Sequence, residues 1–332
     1  MGLPKVVVTH RTFPDTAAML AEHCAVEQND DVDPWTDAEV RRRCTDADGL
    51  LAFMTDRVDA AFLASCPRLR VVACALKGWD NFDLEACTRA GVWLTAVPDL
   101  LTEPTAELAV GLALALGRNI LPGDALVRGG GFAGWRAQLY GAGRAGSVLG
   151  IAGAGRVGRA IARRLAGFGP SRMLYYDEAI LERDVAFGLG LARASWAGLL
   201  RDSDFLFLAL PLTAQTRHML GREALAQIRP GCRVINAGRG SVVDEAAVAE
   251  ALALGRLAGY AADVFEFEDW ALPGRPACIA PDLLGSASTV FTPHLGSAVA
   301  DVRLAIELAA ARNLLDALAG REPPDALNRP AR

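Results

Sequence analysis

Apolar residues along this chain fall into short runs of strand length, separated by amphipathic polar stretches. In the first hundred residues KVVVTH (5–10), GLLAF (49–53), LRVVACA (69–75) and VWLTAV (92–97) are near-continuous apolar runs. DAEVRRRCTDA and VDAAFLASC, which lie between them, have helical character. Runs of this kind alternating with helices predict a parallel sheet covered on both faces. Residues 102–118 predict one long helix, begun by Thr102 or Pro104 and closed near Gly117. From residue 148 the alternation resumes. VLGIA, MLYYD, FLFLAL, CRVIN, GYAADV and VFT give six strand candidates, the number a dinucleotide-binding sheet uses. A helix over 300–319 leads into a Pro-rich tail expected to return to the N-terminal region. The pattern therefore predicts an α/β chain with a discontinuous domain, 1–100 plus 298–332, and an inserted one, 101–297.

The length of 332 residues agrees with two cores rather than one. With 52% hydrophobic and 22% charged residues the chain has an ordinary globular balance. Its net charge of −5 offers no basic field for nucleic acid or an anionic membrane, so an anionic substrate has to be met by local cations. Seven dispersed cysteines without a C-x-x-C pair point to reduced thiols and a cytoplasmic address. MGLPKVVVTHR lacks a signal-peptide apolar region. AELAVGLALALG (106–117) is too short to span a bilayer and reads as a buried helix. No metal site is expected. The Gly-rich stretch RGGGFAGWRAQLYGAG (128–143) carries Trp135 and Tyr140. It suits a loop that covers a site or meets a second subunit, or one whose aromatic residues only anchor it.

GAGRVG (153–158) is a full G-x-G-x-x-G that follows one strand candidate and opens a helix. Gly153 would permit the tight turn, Gly155 the approach of a pyrophosphate, and Gly158 close packing of helix on strand. Asp177 and Glu178 end the next strand, about 20 residues on, where a carboxylate holds the adenosine ribose. Two adjacent acids disfavour a 2′-phosphate, so the expected cofactor is NAD rather than NADP. Either acid fits, because neighbouring residues at a strand end point to opposite faces. Pro211, in ALPLT, either turns the backbone along the cofactor or simply ends its strand.

Arg239, Glu268 and His294 each follow an apolar strand run and are spaced by about one βα unit. Ligands on open α/β sheets gather at the carboxyl ends of strands. A guanidinium there can hold two oxygens of an anion. An imidazole can move a proton, and a carboxylate can orient the ring. His10, His23 and His218 lack such company in the sequence and read as structural.

GAGRVG, NAGRGSVVDE, ADVFE and PHLGS, in that order, resemble the D-2-hydroxyacid dehydrogenase superfamily over nearly the whole chain. The resemblance implies a flavodoxin-like substrate domain with an inserted NAD-binding Rossmann domain. It also implies an active site in their cleft, Arg/Glu/His catalysis and a homodimer. LPKVVVTHR, LAFMTDRVDAAFL, CALKGWDNFD, GVWLTAVPDLLTEPTAEL, RGSVVDEAAV, GYAADVFEFEDW and FTPHLGSAVADVRL are similar to the phosphite (phosphonate) dehydrogenase branch. That similarity implies NAD-dependent oxidation of phosphite, with His294 as base, Glu268 as its partner and Arg239 on the substrate. It places Lys77, Gly78, Met54, Trp135, Tyr140, Ser297 and Arg303 at or around the substrate. On the cofactor it places Gly153, Gly155, Arg156, Val157, Gly158, Asp177, Glu178, Ala209, Leu210, Pro211, Ala237, Asp263, His294, Gly296 and Thr105. Lys77 with Arg239 would match the charge of a phosphorus oxyanion; a solvated surface lysine is the plainer reading of Lys77. The nearest alternative is a D-2-hydroxyacid dehydrogenase or a glyoxylate/hydroxypyruvate reductase. A different class, the NAD-sensing corepressor-like binding proteins of this superfamily, also keeps the three residues.

Overall fold

Valine, leucine and alanine runs that are buried on both faces become central strands, as parallel sheets require. The computed structural model describes residues 2–97 and 99–330 and divides into two compact units. The first comprises Met1–Leu101, Trp270–Pro273 and Ala298–Arg332. Its strands are β1 (Lys5–Val8), β2 (Ala25–Gln28), β3 (Gly49–Ala52), β4 (Val71–Cys74) and β5 (Trp93–Thr95), in the order β2-β1-β3-β4-β5. All four pairings are parallel. This is the flavodoxin-like order. Alternation along the strands sends Val6, Val8, Leu51, Val71 and Ala73 to one face, against Ile306, Ala310 and Leu314 of helix Ala300–Leu318. Val7, Leu50, Ala52 and Val72 face Phe62, Leu63, Ala86 and Cys87 on the other. Each fully buried Leu or Val contributes about 1.5–3 kcal/mol relative to exposure.

The second unit comprises Thr102–Asp269 and Gly274–Ser297. It holds β6 (Val148–Ala152), β7 (Arg172–Tyr176), β8 (Leu191–Arg193), β9 (Phe205–Leu208), β10 (Cys232–Asn236), β11 (Leu257–Ala262) and β12 (Thr289–Phe291). Their order is β12-β11-β10-β9-β6-β7-β8, parallel throughout. Strands β6 to β11 form the six-stranded Rossmann sheet, and β12 extends it. Helix Thr102–Gly117 is apolar nearly all round because it lies in the core, packing Ala106, Ala109 and Leu112 with Leu149, Ile151, Phe207 and Ile161. The opposite face packs Leu206, Leu208, Val234 and Tyr260 with Leu199, Leu225 and Val248 from three covering helices. No single helix among the described residues is long and apolar enough to cross a membrane.

The apolar pattern predicts neither β2 nor β8, and both are edge strands. β2 (AVEQ) is exposed or half-buried, and β8 (LAR) buries only Leu191. An edge strand needs little apolar content, so its sequence carries little signal. Six of the seven cysteines are buried and Cys278 is exposed, all as free thiols.

Candidate functional site

At the carboxyl end of β6 the chain must reverse within a few residues into helix Arg156–Ala166. Gly153 does this at φ +92°, where a Cβ would stand 2.5 Å from the Ala209 carbonyl oxygen. At Gly158 a Cβ would lie 1.9 Å from the Gly153 carbonyl oxygen, so the helix seats directly on the turn. Gly155 differs: a Cβ there would meet nothing within 4 Å. The space above Gly155 is open, and no side chain caps the helix it begins. The neighbouring helices Trp196–Asp202 and Glu245–Ala253 are instead capped by Ser195 and Asp244. A helix start with no side-chain cap, at the positive end of its dipole and beside a residue without a side chain, suits a pyrophosphate. Arg156 and Val157 form the first turn of that helix.

Asp177 follows β7 half-buried, and its carboxylate accepts from Ala154 N at 2.7 Å and Ala179 N at 3.0 Å. Glu178 is exposed. The structure thus brings Asp177, and not Glu178, onto the glycine turn. Ala209 and Leu210 run between two glycines. Gly153 abuts the Ala209 carbonyl, and a Cβ on Gly238 would lie 2.7 Å from the Leu210 carbonyl oxygen. Pro211 is exposed, and Ala237 is half-buried with its N–H on the Leu208 carbonyl.

Arg239, Glu268 and His294 leave the ends of β10, β11 and β12. Buried Asn236 shapes the first departure: its amide donates to the Arg239 carbonyl at 3.0 Å and its side-chain oxygen accepts from Gly238 N at 3.1 Å. Arg239 then enters a 3-10 turn, Gly240–Val242. A Cβ on Gly240 would overlap the Phe265 carbonyl carbon at 1.9 Å, so only glycine lets this turn lie against the backbone ahead of Glu268. Glu268 ends the 3-10 turn Glu266–Glu268 and is held by Phe265 N on Oε1 at 2.9 Å. Its Oε2 lies 2.7 Å from His294 Nδ1. That bond places the Nδ1 proton toward the carboxylate and leaves Nε2 outside the pair, where an imidazole nitrogen can exchange a proton.

His294 sits at φ +55°, a conformation uncommon outside glycine. Asp263 holds it there. The Asp263 carbonyl accepts from His294 N at 2.9 Å, and its carboxylate accepts from Thr292 Oγ1, Leu295 N and Gly296 N at 2.6, 2.7 and 2.8 Å. Burial raises the Asp263 pKa against these bonds and the nearby imidazole. Thr105 donates to the Gly296 carbonyl at 3.2 Å and closes the bracket. Thr105, Asp263 and Gly296 therefore lie together beneath the histidine loop, with half-buried Ser297 next in the chain. Trp135 and Tyr140 are 79% and 77% exposed, so packing of their rings does not anchor the 128–143 stretch.

In the first unit, half-buried Met54 follows β3, and half-buried Lys77 and Gly78 follow β4. Arg303, from helix Ala300–Leu318, donates to the Ala75 carbonyl at 3.2 Å, and its guanidinium carbon lies 5.7 Å from the centre of the Phe53 ring. Arg303 thus joins the strand ends from which Met54 and Lys77 leave. Burial lowers its pKa, partly offset by Glu307 at 3.7 Å. His10 lies at the same edge, with Thr9 Oγ1 at 3.2 Å and Thr55 Oγ1 at 3.1 Å. Its pKa is lowered by burial and then by Arg303.

His218 requires a correction. It does have a carboxylate partner, Glu266, 2.8 Å from Nε2. The two residues are far apart in sequence, so no local motif announces the pair.

A glycine turn beneath an open helix end, on a sheet of this order, is a dinucleotide-binding domain, and the same unit holds an imidazole–carboxylate pair of a kind able to transfer a proton. The chain belongs to the D-isomer specific 2-hydroxyacid dehydrogenases: residues 110–296 match the family described as "D-isomer specific 2-hydroxyacid dehydrogenase, NAD binding domain". The chain is similar to a glyoxylate reductase of Aeropyrum pernix, 36% identical over 99% of this chain and 97% of that one. Against a glyoxylate reductase of Pyrococcus furiosus the figures are 36%, 98% and 96%. Among solved structures it is similar to a protein of Thermus thermophilus (TM-score 0.87, 34% identity, 98% and 100% coverage). It is also similar to an NADPH-dependent glyoxylate/hydroxypyruvate reductase of Sinorhizobium meliloti in complex with NADP and malonate (TM-score 0.85, 28% identity, full coverage of both chains). The protein is an oxidoreductase of this family with a Rossmann domain for NAD.

Proposed function

We propose that the chain reduces a small 2-oxo acid of the glyoxylate class to its 2-hydroxy acid, with His294 as proton donor, Glu268 as its partner and Arg239 as carboxylate anchor. The 2.7 Å bond between Glu268 and His294 Nδ1 carries this reading, because it leaves Nε2 for the substrate. The relatives' names support the substrate class. Arg239, whose guanidinium donates to the Gly238 carbonyl at 3.0 Å, would hold the carboxylate by charge-assisted hydrogen bonds. His294 gives a proton to the carbonyl oxygen, and Glu268 stabilises the imidazolium before the proton leaves. NADH, when bound, would supply a hydride for C2, so that one hydride and one proton would convert the ketone or aldehyde to the alcohol. Gly153, Gly155 and Gly158 would seat the pyrophosphate and Asp177 the adenosine ribose, which favours NAD over NADP. Thr105, Asp263 and Gly296 hold His294 in place.

A second reading is supported by the segments from LAFMTDRVDAAFL to FTPHLGSAVADVRL and by the lysine at the end of β4: NAD-dependent oxidation of phosphite to phosphate. In it His294 takes a proton from water, the water oxygen bonds to phosphorus, and the P–H hydrogen departs with its electron pair to the cofactor. Arg239 would balance charge on the phosphorus oxygens. One assay separates the readings. NADH consumption with glyoxylate or hydroxypyruvate, and no NADH formation with phosphite and NAD, supports the first. NADH formation with phosphite alone replaces it with the second. Turnover of none of these substrates removes both and leaves the NAD-sensing binding protein.

A homodimer is proposed as well. It is supported by the exposed apolar side chains Ile120, Leu121, Val127, Phe132, Trp135, Leu139 and Tyr140 in one stretch of chain, a feature that favours burial by a second copy. Light scattering after size exclusion should give twice the chain mass; a single chain mass at micromolar concentration would refute it.

A further inference from the structure

The short 3-10 turn Glu266–Glu268 holds two imidazoles, one by each end. Glu268 Oε2 meets His294 Nδ1 at 2.7 Å, and Glu266 Oε2 meets His218 Nε2 at 2.8 Å. We infer that His218 is a positioning residue: by gripping Glu266 it fixes the turn that presents Glu268 to His294. The inference deepens the catalytic reading above and rests on it.

Three further observations bear on it. First, His218 is itself held in an unusual backbone state, φ +50°. Its N–H donates to the Ser241 carbonyl at 2.7 Å, and Leu220 N donates to the Val242 carbonyl at 3.1 Å. The segment after Pro211 is thereby stitched to the turn that follows Arg239. Second, Glu266 is tied on its other side. Its Oε1 accepts from Glu245 N at 2.9 Å, and its own N–H donates to Glu245 Oε1 at 2.7 Å. Third, the Glu266–Glu268 turn has little freedom to drift toward the Arg239 turn, because Gly240 already touches Phe265. His218 therefore joins the Arg239 turn, through its backbone N–H, to the Glu268 turn, through its ring.

The electrostatics agree with this geometry. Glu245, Glu266, Glu268 and Asp269 gather here, with Ser241 N on Asp269 at 2.7 Å. Glu245 is buried, and its carboxyl is pushed up to about 7, first by burial and then by Glu266, Glu268 and Asp269. His218 and His294 are the imidazoles paired with this patch, and each takes a separate carboxylate. Without His218, Glu266 loses its partner, the turn loosens and Glu268 draws back from His294. A carboxylate that draws back holds the His294 Nδ1 proton less firmly and stabilises a developing imidazolium less.

Imidazole NMR on the full chain tests this without knowledge of the substrate, since the chain has only four histidines to assign. The His294 Nδ1 proton, hydrogen-bonded to Glu268 in wild type, should shift upfield and exchange faster with solvent in His218→Ala. His218→Gln, whose amide can still donate to Glu266, should restore most of the difference. With whichever substrate turns over, kcat in His218→Ala should fall about 10–100-fold. KM and NADH affinity should stay within about threefold. A folded His218→Ala whose His294 Nδ1 proton resonance is unmoved overturns the inference. So does a His218→Gln or Glu266→Gln protein whose kcat loss merely follows its loss of folded material. His294→Ala, run beside them, separates the two levels: its full activity would defeat the catalytic reading, whereas its inactivity beside a normal His218→Ala defeats only the role of His218.

Discussion

His294 is held by four groups before any substrate arrives: Glu268 on its ring, and Asp263, Thr105 and the Gly296 backbone around its loop. A proton-transfer residue with so fixed a ring loses activity sharply when removed, by about 10²–10⁴-fold. Removal of Arg239 acts differently, since an anion left without its bidentate partner loses about 2–5 kcal/mol. Arg239→Ala should therefore raise KM about 30-fold or more, and by more than it alters NADH affinity; initial rates over a wide substrate range would show it. An unchanged KM would remove Arg239 from the substrate. The placement of these three residues beyond strand ends was legible, because each comes a few residues after an apolar strand run. His218 was not, because its partner lies beyond two strands in the sequence and its left-handed backbone leaves no mark on residue type. Among the acids, sequence left Asp177 and Glu178 open, and the structure sets Asp177, not Glu178, against the glycine turn.

The two tight turns of the Rossmann unit carry the next set of expectations. Gly240 and Gly158 each lack room for a single methyl group, against backbone atoms that cannot rotate away. Gly240→Ala should destabilise the protein by about 1–3 kcal/mol and lower kcat, because the Arg239 turn would be pushed off the Glu268 turn. Thermal unfolding and initial rates would check both, and a wild-type melting temperature would contradict the packing described. Asp177→Ala should raise NADPH use relative to NADH, by removing the charge that opposes a 2′-phosphate; an unchanged preference would move the ribose contact to another residue. Central strands and G-x-G-x-x-G were plain in the sequence because burial on both faces demands continuous apolar runs. The edge strands β2 and β8 escaped notice because one open edge relaxes that demand.

Each of the two units buries one carboxyl whose pKa is raised to about 7: Asp56 in the first and Glu245 in the second. Burial is the leading cause in both. A carboxyl that ionises near its ordinary value when unfolded, but near 7 when folded, binds more protons in the folded state between those values. Its contribution to stability is therefore complete at acid pH and is lost as pH rises through about 7. Asp56→Asn and Glu245→Gln should each shrink the fall in melting temperature between pH 5 and pH 8 relative to wild type. Variants with the wild-type slope would show that these groups titrate normally. Whole-chain organisation was largely readable from where apolar periodicity stops and restarts. The inclusion of Trp270–Pro273 in the first unit was not, because a four-residue excursion has no periodicity of its own.

The central claim is that the Glu268–His294 pair moves the proton in an NAD-linked reaction on a small oxyanion. Its most direct test is single-turnover absorbance at 340 nm with NADH and glyoxylate, and with NAD and phosphite, for wild type and His294→Ala. Cofactor affinity is measured in parallel by protein fluorescence. The account predicts one burst in wild type, a rate about 10²–10⁴-fold lower in His294→Ala, and equal cofactor affinity in both. A His294→Ala protein that binds the cofactor and turns over at the wild-type rate would contradict it.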